Sequence, residues 1–251
     1  MNEQTIDYPM PPGFYNADCL EEMKKFPDKF FDLAITDPPY GIGADKFANG
    51  SNWKGHKGKP SSAKKCRLNQ GAVKLKGRIL NNSDCSWDTE PPQKEYFDEL
   101  FRVSQNQIIW GSNYFPLPPS RCIVVWDKMQ PWENFSQVEI AWTSFDKPAA
   151  LFKMANFAPG KIHPTEKPVA LYQFLLDRYA KPGMKILDTH VGSASSLIAC
   201  ERAGMEYWGF EIDEMYYQKA KERLDKEKAQ VNMMELISQA EQKEEQLTFG
   251  G

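Results

Sequence analysis

The sequence has no Cys-x-x-Cys pair. Its five cysteines, Cys19, Cys66, Cys85, Cys122 and Cys200, are odd in number and irregularly spaced. That pattern argues against a disulfide framework and against a structural zinc site. The three histidines, His56, His163 and His190, are far apart, and no metal-ligand spacing joins them, so no metal is expected. No apolar run approaches the roughly 20 residues of a membrane span. Met1-Asn2-Glu3-Gln4 has neither the basic region nor the apolar core of a signal peptide. A cytoplasmic protein with no membrane partner is therefore the expectation. Global basicity is also missing, since the net charge is −3 over 251 residues. Any surface for a polyanion must then be local. With 41% hydrophobic and 26% charged residues, the chain can build one sizeable domain carrying an inserted lobe.

One stretch lacks acid altogether. From Lys46 to Leu80 there are ten Lys or Arg and no Asp or Glu. Gly and Ser are frequent there, and the apolar residues keep no period. A solvated loop is the plain reading; an electrostatic arm for a polyanion is the functional one, favoured because the rest of the chain is acidic. Its candidate contacts are Lys46, Trp53, Lys54, Lys57, Lys64, Lys65, Arg67, Lys74, Lys76 and Arg78. Trp53 and His56 are able to stack on bases, although Trp53 serves equally well to pack the loop down.

The chain is organised around Thr36-Asp37-Pro38-Pro39-Tyr40-Gly41, which follows the apolar run Phe30-Phe31-Asp32-Leu33-Ala34-Ile35. Two prolines cannot continue a strand, so a buried strand ends here in a rigid tip. Pro38 also holds Asp37 extended. A carboxylate, a carbonyl and an aromatic ring are thus presented together, which suits a planar base bearing an amine.

Around the tip, Gly13 to Asp18 reads as a strand and an acidic turn, and Cys19 to Phe26 as a short helix. Residues 96–103 have helical spacing. Gln107-Ile108-Ile109-Trp110 and Cys122 to Trp126 read as strands, the latter forming a hairpin with Val138 to Thr143. In His163-Pro164-Thr165-Glu166-Lys167-Pro168, Thr165 is the expected N-cap of a helix running to Tyr179. Lys185 to Asp188 is a strand that enters the small-residue turn Gly192-Ser193-Ala194-Ser195-Ser196 and a helix to Ala203. Tyr207 to Glu211 is the last strand, and Asp213 caps a final helix with a polar tail at 226–251. Asp188 and Glu211 are 23 residues apart, close to the interval at which nucleotide-binding folds place an acid against ribose hydroxyls. The turn lacks a dinucleotide glycine fingerprint, and taken alone a plain βαβ core explains it as well.

Asp-Pro-Pro-Tyr after a buried strand, His-Pro-Thr-x-Lys-Pro before a helix, and Leu-Asp-x-x-x-Gly-Ser, in that order, resemble the β-group of DNA amino-methyltransferases of the N6-adenine type. The resemblance covers residues 14–40, about 85–145, and 160–225. It implies an α/β fold: a circularly permuted class I methyltransferase sandwich with a seven-stranded, mostly parallel sheet, one antiparallel hairpin and helices on both faces. The first strand would lie beside the last, as close termini permit. It implies S-adenosylmethionine as cofactor and double-stranded DNA as partner, with a homodimer among the arrangements such enzymes adopt. Asp37 and the Pro38 carbonyl, with Pro39 stiffening the tip, would hold the target amine, and Tyr40 would stack on the flipped base. Asp188, His190, Gly192, Ser193, Ser195 and Ser196 would line the methionine part, and Glu211 would bind the ribose. Thr165 and Lys167 would lie near the cofactor's carboxylate, Asp18 and Cys19 near its adenine, and His163 would also belong to the cofactor site. Lys167 at a helix start also reads as a surface lysine, and Asp18 as a turn former.

The family commonly has Asp-Pro-Phe-x-Gly-Ser-Gly where this chain has Asp188-Thr189-His190-Val191-Gly192-Ser193-Ala194. Alanine at the last position implies a backbone that needs no positive φ. Target recognition is assigned mainly to the basic 42–90 insert of a single 1–251 methyltransferase domain, with the loop from Lys128 to Phe135 assisting. The acid at Asp37 leans toward adenine. N4-cytosine methylation is the main alternative, followed by RNA or protein-glutamine methylation and a non-catalytic DNA-binding subunit.

Overall fold

The computed structural model describes residues 10–42, 88, 90–130, 136–156 and 161–249. In chain order the elements are β1 (Gly13–Asn16), α1 (Cys19–Met23), β2 (Phe31–Thr36), α2 (Lys94–Val103), β3 (Ser104–Trp110), a 3₁₀ turn (Ser112–Tyr114), β4 (Ile123–Asp127), β5 (Val138–Thr143) and β6 (Ala150–Lys153). They continue with α3 (Val169–Tyr179), β7 (Lys185–Asp188), α4 (Ser195–Arg202), β8 (Glu206–Glu211) and α5 (Glu214–Phe249).

The strands form one sheet in the order β1-β8-β7-β2-β3-β5-β4-β6. Among the described strands only β5 runs against its neighbours, pairing antiparallel with β3 and β4. The first strand pairs in parallel with the last, Gly13 opposite Trp208 and Asn16 opposite Glu211, which is the permuted arrangement expected. The sheet has eight described strands rather than seven. The extra one, β6, lies on the edge, parallel to β4 from Ala150 to Lys153. Its four residues follow Pro148 and are too few for their alternation to register in sequence.

Two hydrophobic layers cover the sheet. Leu33, Ile35, Ile108, Trp110, Ile186 and Tyr207 face Leu171, Leu175, Leu197, Ile198 and Leu224 of α3, α4 and α5. Ala34, Ile109, Leu187, Trp208 and Phe210 face Met23, Phe26, Tyr96, Phe97 and Leu100 on the α1–α2 side. Neighbours along a strand therefore go to opposite layers, as Ile186 and Leu187 do, which follows from the two-residue period of a pleated strand. Such double burial explains why these strands read as nearly continuous apolar runs. Because β1, β8, β7 and β2 are adjacent and parallel, their C-terminal ends open on one edge. That edge is where open α/β sheets receive ligands.

One expected cap is corrected. Pro168, not Thr165, occupies the N-cap of α3, with φ −64° and ψ 141°. Thr165 instead places its hydroxyl 3.1 Å from His163 Nδ1. No side chain caps α3; the Leu171 amide donates instead to the Pro168 carbonyl at 3.0 Å.

Candidate active site

A cavity of about 320 Å³ opens at this edge. Asp37, Pro38, Pro39 and Tyr40 line one side, Gly192, Ser193 and Glu211 the other, with His163, Thr165, Lys167 and His190 between them. The strand order brings the motifs together although they lie some 150 residues apart in sequence. Asp188, Ser195 and Ser196 are buried and support the turn from beneath. Asp18 caps α1, accepting the amide of Leu20 at 2.8 Å, and Cys19 Sγ lies 4.0 Å from His190 Nε2. Burial, joined by the charge of Asp18, pushes the Cys19 thiol up to about 12, so no thiolate is poised there.

At the Tyr40 side, the phenol donates to Asp37 Oδ1 at 2.6 Å. The Lys167 ammonium bonds Asp37 Oδ2 and lies 2.9 Å from Glu139 Oε2. Lys128 pairs with the other Glu139 oxygen. Lys167 is 3% exposed, so it is no surface lysine, and its partners here are two carboxylates of the chain itself. Burial works against its charge, but Asp37 and Glu139 outweigh that and hold its pKa above the ordinary lysine value. Burial raises the Asp37 carboxyl, against the pull of Lys167 and with a push from Glu139. Tyr40 stacks on Tyr114 with ring centroids 4.9 Å apart and planes 13° off parallel. Gly111, at φ +71°, makes room for it: a Cβ there would sit 2.1 Å from the Tyr40 ring. Behind the tip, Tyr96 donates or accepts at 2.7 Å from Thr189 and 3.1 Å from Thr36.

At the opposite side the carboxylates are held by dipoles. Glu211 accepts the amides of Gly192 and Asp213, each at 2.9 Å. Asp188 accepts the His190 amide at 3.0 Å and the Ser196 hydroxyl. Burial nevertheless pushes the Asp188 carboxyl up to about 7. Burial also lowers His163 to about 3 and His190 to about 4, so both are neutral at pH 7 and add no positive charge. The turn itself corrects an expectation. Ala194 sits at φ 62°, ψ 19°, the left-handed conformation that glycine usually takes. Here a buried alanine adopts it, and its carbonyl accepts the Ile198 amide at 2.9 Å as α4 begins.

Several site residues have no motif to announce them. Glu139 is a lone acid in the apolar strand β5. Asp88, 1% exposed, accepts the Gly41 amide at 2.8 Å and so braces the end of the tip. Arg223 of α5 donates to the Ser193 carbonyl at 2.7 Å. The only available signal was an isolated charge in an apolar run, seen at Glu139. The ten candidate contacts Lys46, Trp53, Lys54, Lys57, Lys64, Lys65, Arg67, Lys74, Lys76 and Arg78 lie outside the described residues, as does the hairpin segment 131–135. Among the described residues no group of His, Cys, Asp and Glu is arranged to hold a metal ion. No described helix is long and apolar enough to cross a membrane.

Comparison with known proteins agrees with this geometry. Residues 109–222 match the model of the N6/N4 methylase family, described as DNA methylase. Type II methyltransferase M2.DpnII of Streptococcus pneumoniae is 24% identical over 248 residues, covering 84% of this chain and 89% of its own. DNA adenine methyltransferase YhdJ of Escherichia coli (strain K12) is 22% identical over 250 residues, covering 84% and 81%. The crystal structure of the M1.HpyAVI-SAM complex shares the fold with a TM-score of 0.52 at 18% identity, over 84% of this chain and 98% of that one. The sheet is that of a class I methyltransferase. The chain is thus similar to DNA amino-methyltransferases, in the family match over residues 109–222 and in relatives that cover 84% of it.

Proposed function

We propose that the chain transfers a methyl group from S-adenosylmethionine to the exocyclic N6 amine of adenine in DNA. The observation that carries this reading is a single cavity with Asp37 and Tyr40 at one side and Gly192, Ser193 and Glu211 at the other. The residues suit the cofactor. Both Glu211 oxygens are oriented by amides yet keep acceptor capacity for the two ribose hydroxyls, and the tight turn at 192–194 leaves backbone approachable. When bound, S-adenosylmethionine supplies a sulfonium methyl, whose S–C bond breaks as a new N–C bond forms.

The chain's own residues do the rest. A stacked base cannot present its amine to this cavity, so the target must be flipped out. The amine is a poor nucleophile because its lone pair is delocalised into the ring. A carboxylate has about four acceptor sites, and Asp37 uses one on each oxygen for Tyr40 and Lys167. One of the remaining sites accepts an amine N–H and favours a pyramidal nitrogen with its lone pair free. After transfer the cationic nitrogen loses that proton toward Asp37, whose raised pKa makes it the better base. Tyr40, fixed by Tyr114 and by its bond to Asp37, offers a ring for stacking. No nucleophilic cysteine enters the scheme, and positioning with electrostatics carries the rate. The basic 42–90 insert supplies a grip on phosphates.

The acid at Asp37 and the similarity to a DNA adenine methyltransferase of E. coli favour adenine. N4-cytosine transfer uses the same geometry and is the second reading. Incubation with labelled cofactor and unmethylated DNA, followed by nucleoside analysis of the digest, tests both. Label in N6-methyl-2′-deoxyadenosine is expected; label in N4-methyl-2′-deoxycytidine selects the second reading, and no label removes both.

A further inference from the structure

The tip carries more charge than its motif requires. Lys128, Glu139, Lys167 and Asp37 form a row of alternating sign that runs from the β4–β5 hairpin to the cavity. The Lys167 side chain is 2% exposed and that of Glu139 is 21% exposed. Trp110 and Tyr40 flank the ammonium, their ring centroids 5.4 and 5.9 Å from Nζ. Charges so enclosed are screened far less than surface pairs, so their balance acts directly on whatever occupies the cavity.

We propose that Glu139 is a positioning residue for methyl transfer, which takes up the charge of Lys167 so that Asp37 keeps its negative field for the target amine. The inference rests on the reading of Asp37 as the amine's acceptor. Methyl transfer moves a positive charge onto the amine nitrogen, which then loses a proton. Asp37 paired with Lys167 alone would present a neutral couple to that cation, and the ammonium would repel it. Glu139 makes the inner three groups net negative. Lys128 holds the second Glu139 oxygen, so the carboxylate is fixed and its desolvation is compensated. The row therefore ends negative where positive charge develops, and it is built before the substrate arrives.

The test separates charge from structure. Glu139→Gln is isosteric, and it leaves Lys167 to quench Asp37. Its kcat should fall about 10²-fold, the scale of losing one preorganised electrostatic contact, while cofactor and DNA affinities are largely unchanged. Glu139→Gln/Lys167→Met removes the quenching charge as well. It should regain about tenfold over Glu139→Gln, a coupling typical of contacting charges. A merely structural role predicts the opposite, a double variant at least as impaired as the single.

A second readout needs no cofactor. The Asp37 carboxyl is faced by Lys167, Tyr40, Glu139 and Asp188. Followed by carbon NMR in the ligand-free protein, its titration should move down in Glu139→Gln and back up in the double variant. Where Glu139→Gln folds poorly by thermal melting, Glu139→Asp keeps the charge and should lie nearer wild type in kcat. Equal slowness of Glu139→Asp and Glu139→Gln, no recovery in the double variant, or an unmoved Asp37 titration would overturn the proposal. An inactive wild-type enzyme would instead remove the functional reading, and the titration would still decide whether Glu139 sets the charge of the tip.

Discussion

The two ends of the cavity handle negative charge in different ways. At the β7–β8 end, Asp188 and Glu211 are held by backbone amides and a serine hydroxyl. At the β2–β5 end, Asp37 and Glu139 are held by the ammoniums of Lys167 and Lys128. Dipoles orient a carboxylate without cancelling its charge, so the first end keeps acceptor capacity for hydroxyls. Ammoniums lock geometry more firmly, but each subtracts from the field that its carboxylate can offer. The end assigned to the reacting amine is thus the one with compensated, rigid charge, and the end assigned to the nucleoside is adaptable.

The largest effect should come from removing the carboxylate at the reacting end. Asp37→Ala is expected to lower methyl transfer by at least about 10³-fold, at the upper range of a lost preorganised electrostatic group. Cofactor affinity, assigned to the other end, should remain near wild type by equilibrium titration. An active variant would show that the two ends do not divide the work in this way.

Next is Lys167→Met. Taking one partner from a buried ionic cluster strands the remaining charges and costs about 3–5 kcal/mol. Chemical denaturation should show a loss near the lower figure, since Lys128 still compensates Glu139. A loss below about 1 kcal/mol would mean that the cluster behaves as a surface pair does, and the contrast between the ends would disappear.

The dipole-held end has its own signature in pH. Burial raises Asp188 from 3.8 to about 7. The folded protein therefore binds a proton more tightly than the unfolded chain does. Stability from this group is complete below pH 3.8 and is lost as pH rises through about 7. Between those limits the wild type should lose stability relative to Asp188→Asn, by at most about 1.4 kcal/mol per pH unit. Parallel curves for the two proteins would mean that Ser196 and the His190 amide already stabilise the ionised form fully.

Much of this was legible in the sequence because it rests on local patterns. The Asp-Pro-Pro-Tyr tip is marked by two residues that end strands, and the order of tip, His-Pro segment and small-residue turn resembles a family whose permuted fold implies which strands are neighbours. The pairing of Gly13 with Trp208 follows from that order. What was not legible depends on contacts across the sheet. Glu139 meets Lys167 only because β5 inserts antiparallel between β3 and β4, and no spacing rule links 139 to 167. β6 is a four-residue edge strand defined by its partner. Pro168 displaced the expected Thr165 cap because Thr165 turned its hydroxyl to His163. Ala194 misled most directly, because residue identity was used to infer a backbone angle that the surrounding turn imposes.

That alanine gives the smallest and most discriminating prediction. A left-handed φ costs a non-glycine residue about 1–2 kcal/mol, so Ala194→Gly relieves strain. The Ala194 methyl is fully buried in the cluster beneath α4, and losing it forfeits about 0.8 kcal/mol of burial. Glycine also loosens the unfolded chain, at about 0.4–1 kcal/mol. The three contributions nearly cancel, and denaturant midpoints should differ by less than about 1 kcal/mol. Gly192 in the same turn has φ +56° with only ordinary contact to the His163 ring awaiting a Cβ at 3.6 Å. Gly192→Ala therefore carries the conformational cost, offset only by the chain-entropy gain, and should destabilise. If Ala194→Gly were instead stabilising by more than about 1 kcal/mol, the methyl would contribute little to the core. The turn would then be held by its hydrogen bonds, those to Glu211 and Arg223 among them.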